Sequence, residues 1–151
     1  GGWEAFAGQE EVAKVVGNKA AAELQLKMHK AAYETASEAV RLFPSEPKHR
    51  DRRSRAIVEL VKERDDKPGA GPPYVAHYIP AGIEDCEFVL QASSANVQLK
   101  SNATKNKEFL IRAKARYPAL PARAKNPEDE DTTSNANTRG GVSAESKGAG
   151  G

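Results

Sequence analysis

Nowhere does this chain alternate apolar and polar side chains for more than a few residues, yet five segments repeat apolar residues three and four apart. A strand with one buried face requires a period of two, whereas a helix requires a period near 3.6. The contrast restricts the 151 residues to an all-α fold, read as about five helices packed as stacked antiparallel pairs. A chain of this length suits one domain better than two.

The segments are separable by their punctuation. Residues 10–28 place Val12, Val15, Val16, Ala20 and Leu24 at helical spacing, and 29–43 carry Ala32, Ala36, Ala39, Val40 and Phe43 on one stripe before Pro44. A third helix is predicted over 50–64, with Ala56, Ile57, Leu60 and Val61 as its buried face. The Pro- and Gly-rich stretch 65–80 reads as a loop, since proline removes a backbone donor and glycine favours turns. A fourth helix, "AGIEDCEFVLQ" (81–91), turns Ile83, Cys86, Val89 and Leu90 to one side. The polar stretch 93–106 reads as a second long loop, and a fifth helix fits 107–117, stopped by "PALP". The stripe Ala32, Ala36 and Ala39 permits close helix approach, but alanine is also the best helix former and propensity accounts for it equally well.

Charge divides the chain. Its net of +2 splits into about −3 from Asn126 onward and about +5 before it. The stretch 126–151 has one aliphatic side chain larger than alanine and no aromatic, so it cannot offset its ordering entropy. The expected organisation is a leader over 1–9, a helical domain over 10–120 and a disordered tail over 121–151. A mildly basic body suits acidic protein segments, with nucleic acid as the weaker alternative. No apolar run approaches the roughly 18 residues of a membrane span. The start "GGWEAF" lacks methionine and shows no signal or transit segment, which reads as a processed product or a fragment.

Four segments together resemble the tetratricopeptide repeat, a helix–turn–helix unit of about 34 residues. In "HKAAYETASEAVRLFPSEP", Ala32, Ala36, Ala39 and Pro44 fall at that family's spacing. "SRAIVELV" (54–61) is similar to the start of a following repeat, "GIEDCEFVLQ" to its second helix, and "RAKARYPAL" (112–120) to the opening helix of a third. The resemblance covers about residues 10–120 and implies a short superhelix whose concave face receives a peptide or a partner helix. Departures are longer loops at 65–80 and 93–106, and Gly82 and Val89 where the family prefers alanine.

A subset of that family holds the acidic C-terminal peptide of heat-shock chaperones in a two-carboxylate clamp. "KVVGN" resembles the clamp's first helix, with Lys14 and Asn18 in place. Ser54 stands where the clamp has asparagine; Lys107 matches its lysine, and Ile111 takes the arginine position with Arg112 one residue on. The implied peptide-binding set is Lys14, Asn18, Ser54, Lys107 and Arg112. Cations and amides of this kind hold carboxylates by charge-assisted hydrogen bonds, a chemistry that isoleucine cannot supply. The plainer reading makes Lys14 a solvated helix residue and Asn18 a packing polar group.

Other chemistry is poorly represented. His29, His49 and His77 are scattered, and one cysteine excludes an intrachain disulfide or a cysteine-rich zinc site. No nucleophile stands at a telling distance from a base, so no catalytic residue, metal ligand or cofactor is assigned and an enzyme is not expected. The basic run "KHRDRRSR" (48–55) has no interleaved aromatic, and on a helix it reads as a solvated face paired with Glu46, Asp51 and Glu59. RNA binding through it is the third alternative. "NAT" (102–104) fits a glycosylation sequon that is common by chance, and Trp3 with Phe6 reads as a cover for the end of the helix stack or as part of the leader. Cys86 lies between carboxylates that oppose a thiolate, on a face with Ile83 and Leu90, which reads as a core sulfur. The expected function is therefore a protein-interaction module, as a chaperone adaptor in the cytoplasm. The main alternative is a non-catalytic subunit of a larger assembly, cytoplasmic or organellar after loss of a transit peptide.

Overall fold

A computed structural model describes residues 2–67 and 74–118, with side chains placed from Gly8 onward. The expectations for Trp3, Phe6 and the tail 121–151 lie outside the described residues and side chains. The described residues are all-helical, with no strand among them: α1 Gly2–Gln25, α2 His29–Leu42, α3 Pro47–Asp66, a short 3-10 turn Tyr74–His77, α4 Ile79–Gln91 and α5 Val97–Arg116. They belong to one compact unit that ends at Pro118. Successive helices pack as antiparallel pairs, and α3 touches each of the other four.

The helix ends show why these boundaries were chosen. α3 starts earlier than expected because Glu46 caps it by accepting from Lys48 N–H at 3.1 Å, with Pro47 in the first turn. There the proline's missing donor costs nothing. α5 starts ten residues before its expected boundary. Asn96 caps it by accepting from Leu99 N–H at 2.8 Å, and no glycine or proline interrupts 97–116. The expected loop 93–106 is thus mostly helix, and Leu99, Ala103, Leu110 and Ala113 form its inward stripe. α1 likewise extends back to Gly2, over residues assigned to a leader. Pro80 sits in the first turn of α4, so the helix opens at Ile79, and Tyr78 and Ile79 are buried beside it.

The turn from α1 to α2 ends on a residue with an unusual backbone. Met28 N–H bonds Glu23 O at 2.9 Å and Lys27 N–H bonds Leu24 O at 3.1 Å, a Schellman closure with Lys27 at the left-handed position, φ 62°. Glycine adopts that conformation freely, whereas a Cβ resists it. Lys27→Gly is expected to raise unfolding stability by about 0.5–1 kcal/mol in a urea titration.

The core lies where α3, α4 and α5 meet. Ile57, Val61, Val75, Ile79, Cys86, Val89 and Leu110 are fully enclosed there. α1 and α2 bury small residues instead: Ala13, Gly17 and Ala20 of α1, and Ala32, Ala36 and Ala39 of α2. This differs from the expected stripe of α1, since Val12 and Val15 are 52% and 68% exposed. The helix is rotated so that its small face, not its valine face, packs inward. A Cβ on Gly17 would lie 2.7 Å from the His49 ring, so α1 approaches α3 too closely for a larger residue. Gly82 plays the same part in α4, where a Cβ would lie 2.8 Å from Leu110 Cδ1.

Candidate functional site

The basic run 48–55 is turned largely inward. Arg53 grips Asp85 through two bonds, Nε to Oδ2 at 2.7 Å and Nη2 to Oδ1 at 2.8 Å, and Arg50 Nη1 reaches Oδ1 at 3.3 Å. Asp85 is fully buried in α4, so one carboxylate joins two guanidinium groups of α3. The Arg50 guanidinium also lies 4.5 Å from the centre of the Phe88 ring. His49 is 4% exposed, and burial holds its imidazole below its usual pKa. The expected ion-pair partners were Glu46, Asp51 and Glu59. Of these, Asp51 pairs with Arg55 at 3.6 Å, while the strongest partner stands more than thirty residues away. Sequence spacing along one helix could not reveal it.

Cys86 occupies the same interface. Burial first, with Asp85 and Asp51 charges adding, pushes its thiol up to about 11, against the opposing hydrogen bond to Ser54. The neighbouring acids therefore contribute, but desolvation leads. At pH 7.5 the native protein should react with a maleimide or disulfide reagent at least tenfold more slowly than its urea-unfolded form, because only the thiolate attacks. Equal rates would place the sulfur at the surface.

The five residues of the implied clamp are not gathered at one point. Lys14 and Asn18 line a cleft of about 300 Å³ between α1 and α3, beside Lys48, His49 and Arg52 but also Glu10, Glu11 and Glu46. Ser54 is buried, donating to Asp51 O at 2.9 Å and facing Cys86, so it does not reach that cleft. Lys107 lies midway along α5 and pairs with Glu87 of α4 at 3.4 Å, because α5 begins at Val97. Arg112 is exposed on α5, seven residues and about two turns beyond Lys105 on a similar face. Ile111 is 50% exposed.

A larger cleft lies elsewhere, with a volume of about 520 Å³. The odd-numbered helices form its walls. Leu24 comes from the end of α1, Lys27 from the turn after it, His29 opens α2, Arg55, Val58, Glu59 and Lys62 come from α3, and Asn102, Lys105 and Asn106 from α5. These helices run in the same sense: Gly17 meets His49 and Arg52, Leu24 shares the cleft with Arg55 and Val58, and Arg116 bonds Asp65 at 2.9 Å. Val58 forms a buried apolar floor. Four cations, Lys27, Arg55, Lys62 and Lys105, face one carboxylate, Glu59, which pairs with Lys62 at 3.5 Å. His29 is engaged by Glu63 and lies 4.0 Å from Glu59. The cleft can therefore hold an anion above an apolar floor. Sequence reading missed it because Asn102 and Lys105 fell in an expected loop, and because Lys27 of the α1–α2 turn and Lys62 of α3 meet only in three dimensions.

Among the described residues no cluster of three or more His, Cys, Asp or Glu could hold a metal ion, and no helix is long and apolar enough to cross a membrane. No protein-family model matches the chain, and neither a curated protein nor a solved structure matches it significantly.

Proposed function

We propose that this chain is a protein-interaction module, a divergent tetratricopeptide-like helix stack that receives an extended acidic segment of a partner along the α1, α3 and α5 layer. The observation that supports it is the 520 Å³ cleft, with four cations over a buried apolar floor. Charge there gives orientation and encounter rate, and burial against Leu24 and Val58 gives adhesion. An adaptor role toward chaperone C-terminal peptides is the finer form of this reading; Lys14 and Asn18 would contribute from the neighbouring cleft. Fluorescence anisotropy with a labelled acidic peptide is expected to give a Kd of micromolar order, about −8 kcal/mol. The affinity should fall as salt rises. The absence of saturable binding at 0.1 mM protein would reject the reading.

A second reading, a subunit held within a larger assembly, draws support from exposed apolar residues on the outer face of α1, Val12 and Val15, together with Val97 of α5. It predicts a poorly cooperative melt of the isolated chain, whereas a module melts cooperatively. RNA binding through 48–55 draws little support, because Arg50 and Arg53 are committed to Asp85.

A further inference from the structure

We infer that the cleft between α1, α3 and α5 is a phosphate site, taking a tetrahedral dianion carried by the partner segment as a phosphorylated side chain. This rests on the proposed peptide-binding role for the carrier, but the anion chemistry stands on the cleft itself. Its cations come from three separate places in the chain: Lys27 from the α1–α2 turn, Arg55 and Lys62 from α3, and Lys105 from α5. Arg55 is paired with Asp51 and Lys62 with Glu59, so Lys27 and Lys105 leave an excess of about two positive charges on one small cavity. A single peptide carboxylate carries one charge, whereas a phosphate monoester at neutral pH carries about −1.5 to −2 on three acceptor oxygens. Convergent lysines suit the compact dianion as point charges, and the Asn102 and Asn106 amides supply neutral donors beside them.

Two further observations agree. No ion pair is seen for Lys27 or Lys105 among the described residues, so their charges are not already spent within the fold. Lys27 also holds a left-handed backbone, φ 62°, where glycine would fit without strain. A strained lysine whose side chain lines a cleft is more economically explained by what that side chain binds than by the turn it closes. α2 opens at the same edge with no side-chain cap and no acid in its first turn, so the positive end of its dipole adds to the field.

The test uses the full chain and three probes in isothermal titration: a phosphoserine peptide, the same peptide with glutamate in place of phosphoserine, and inorganic phosphate. The phosphopeptide is expected to bind at least tenfold more tightly than the glutamate version. Lys105→Glu, an exposed substitution, should weaken the phosphopeptide about tenfold or more. Lys27→Gly should weaken it severalfold while raising Tm, which separates lost binding from lost folding. Saturable binding of inorganic phosphate that Lys105→Glu abolishes would support the same site with the free ion as ligand. Equal affinity for the two peptides, with no binding of phosphate, would overturn the phosphate site and leave the acidic-peptide module standing. Tight phosphopeptide binding unaffected by Lys105→Glu and Lys27→Gly would place the anion elsewhere and overturn the inference.

Discussion

Asp85→Ala should lower the unfolding free energy by about 3–5 kcal/mol, because it leaves two half-buried guanidinium groups facing an empty site. Asp85 is fully buried, while the side chains of Arg50 and Arg53 are 20% and 18% exposed. Taking an isolated carboxylate out of water is costly, and here three hydrogen bonds from two arginines offset that cost. The same bonds hold Arg53 above its usual pKa, the hydrogen bond to Asp85 outweighing the opposing burial. Removing the anion therefore strands charge that cannot be titrated away. For a body of this size the loss corresponds to a Tm drop of about 10 °C or more. The double variant Asp85→Leu with Arg53→Met should recover much of it, since well-packed apolar groups often replace a buried ion pair at little cost. If Asp85→Ala proves neutral, the arginines are solvated and the α3–α4 interface is not held as described.

The second large effect concerns Leu110 and Gly82. Leu110 is fully enclosed, and Leu110→Ala should cost about 2–5 kcal/mol in transfer and cavity terms. Gly82→Ala alone should also destabilise, by about 1–3 kcal/mol, because its Cβ would sit 2.8 Å from Leu110 Cδ1 and 3.3 Å from Ile57 Cδ1. In the Leu110→Ala background the sign should reverse. The new methyl then enters the vacated space, and alanine gains up to about 1 kcal/mol over glycine in a helix. A double-mutant cycle by urea denaturation reads this coupling directly. Simple additivity of the two substitutions would show that α4 and α5 do not meet at this point.

Ala32, Ala36, Ala39 and Pro44 marked α2 and its end, and Ala56, Ile57, Leu60 and Val61 marked the buried face of α3, because apolar spacing and proline act locally. Cys86 was legible as a core sulfur for the same reason. The first half of α5 was not, since Gln98, Lys100, Ser101, Asn102 and Thr104 resemble a loop by composition, and its helix is set by the Asn96 cap and by tertiary burial of Ala103. The orientation of α1 was also hidden: three valines suggest a buried face, yet close packing selects Ala13, Gly17 and Ala20. Gly82, read as a departure from a repeat pattern, is a steric requirement imposed by Leu110. For the site, sequence spacing pointed to Lys14 and Asn18, while the richest convergence of cations joins two helices and a turn that no local motif connects.

A partner segment seated in the cleft between α1, α3 and α5 should leave its mark on the amides that line it. Amide chemical-shift mapping of the full chain during titration with an acidic or phosphorylated peptide tests it most directly. Saturable shifts are expected to concentrate at Leu24, Lys27, Arg55, Val58, Lys62, Asn102, Lys105 and Asn106, which line that cleft. Saturable shifts confined to the outer surfaces of α2 and α4, with those eight amides unmoved, would contradict it.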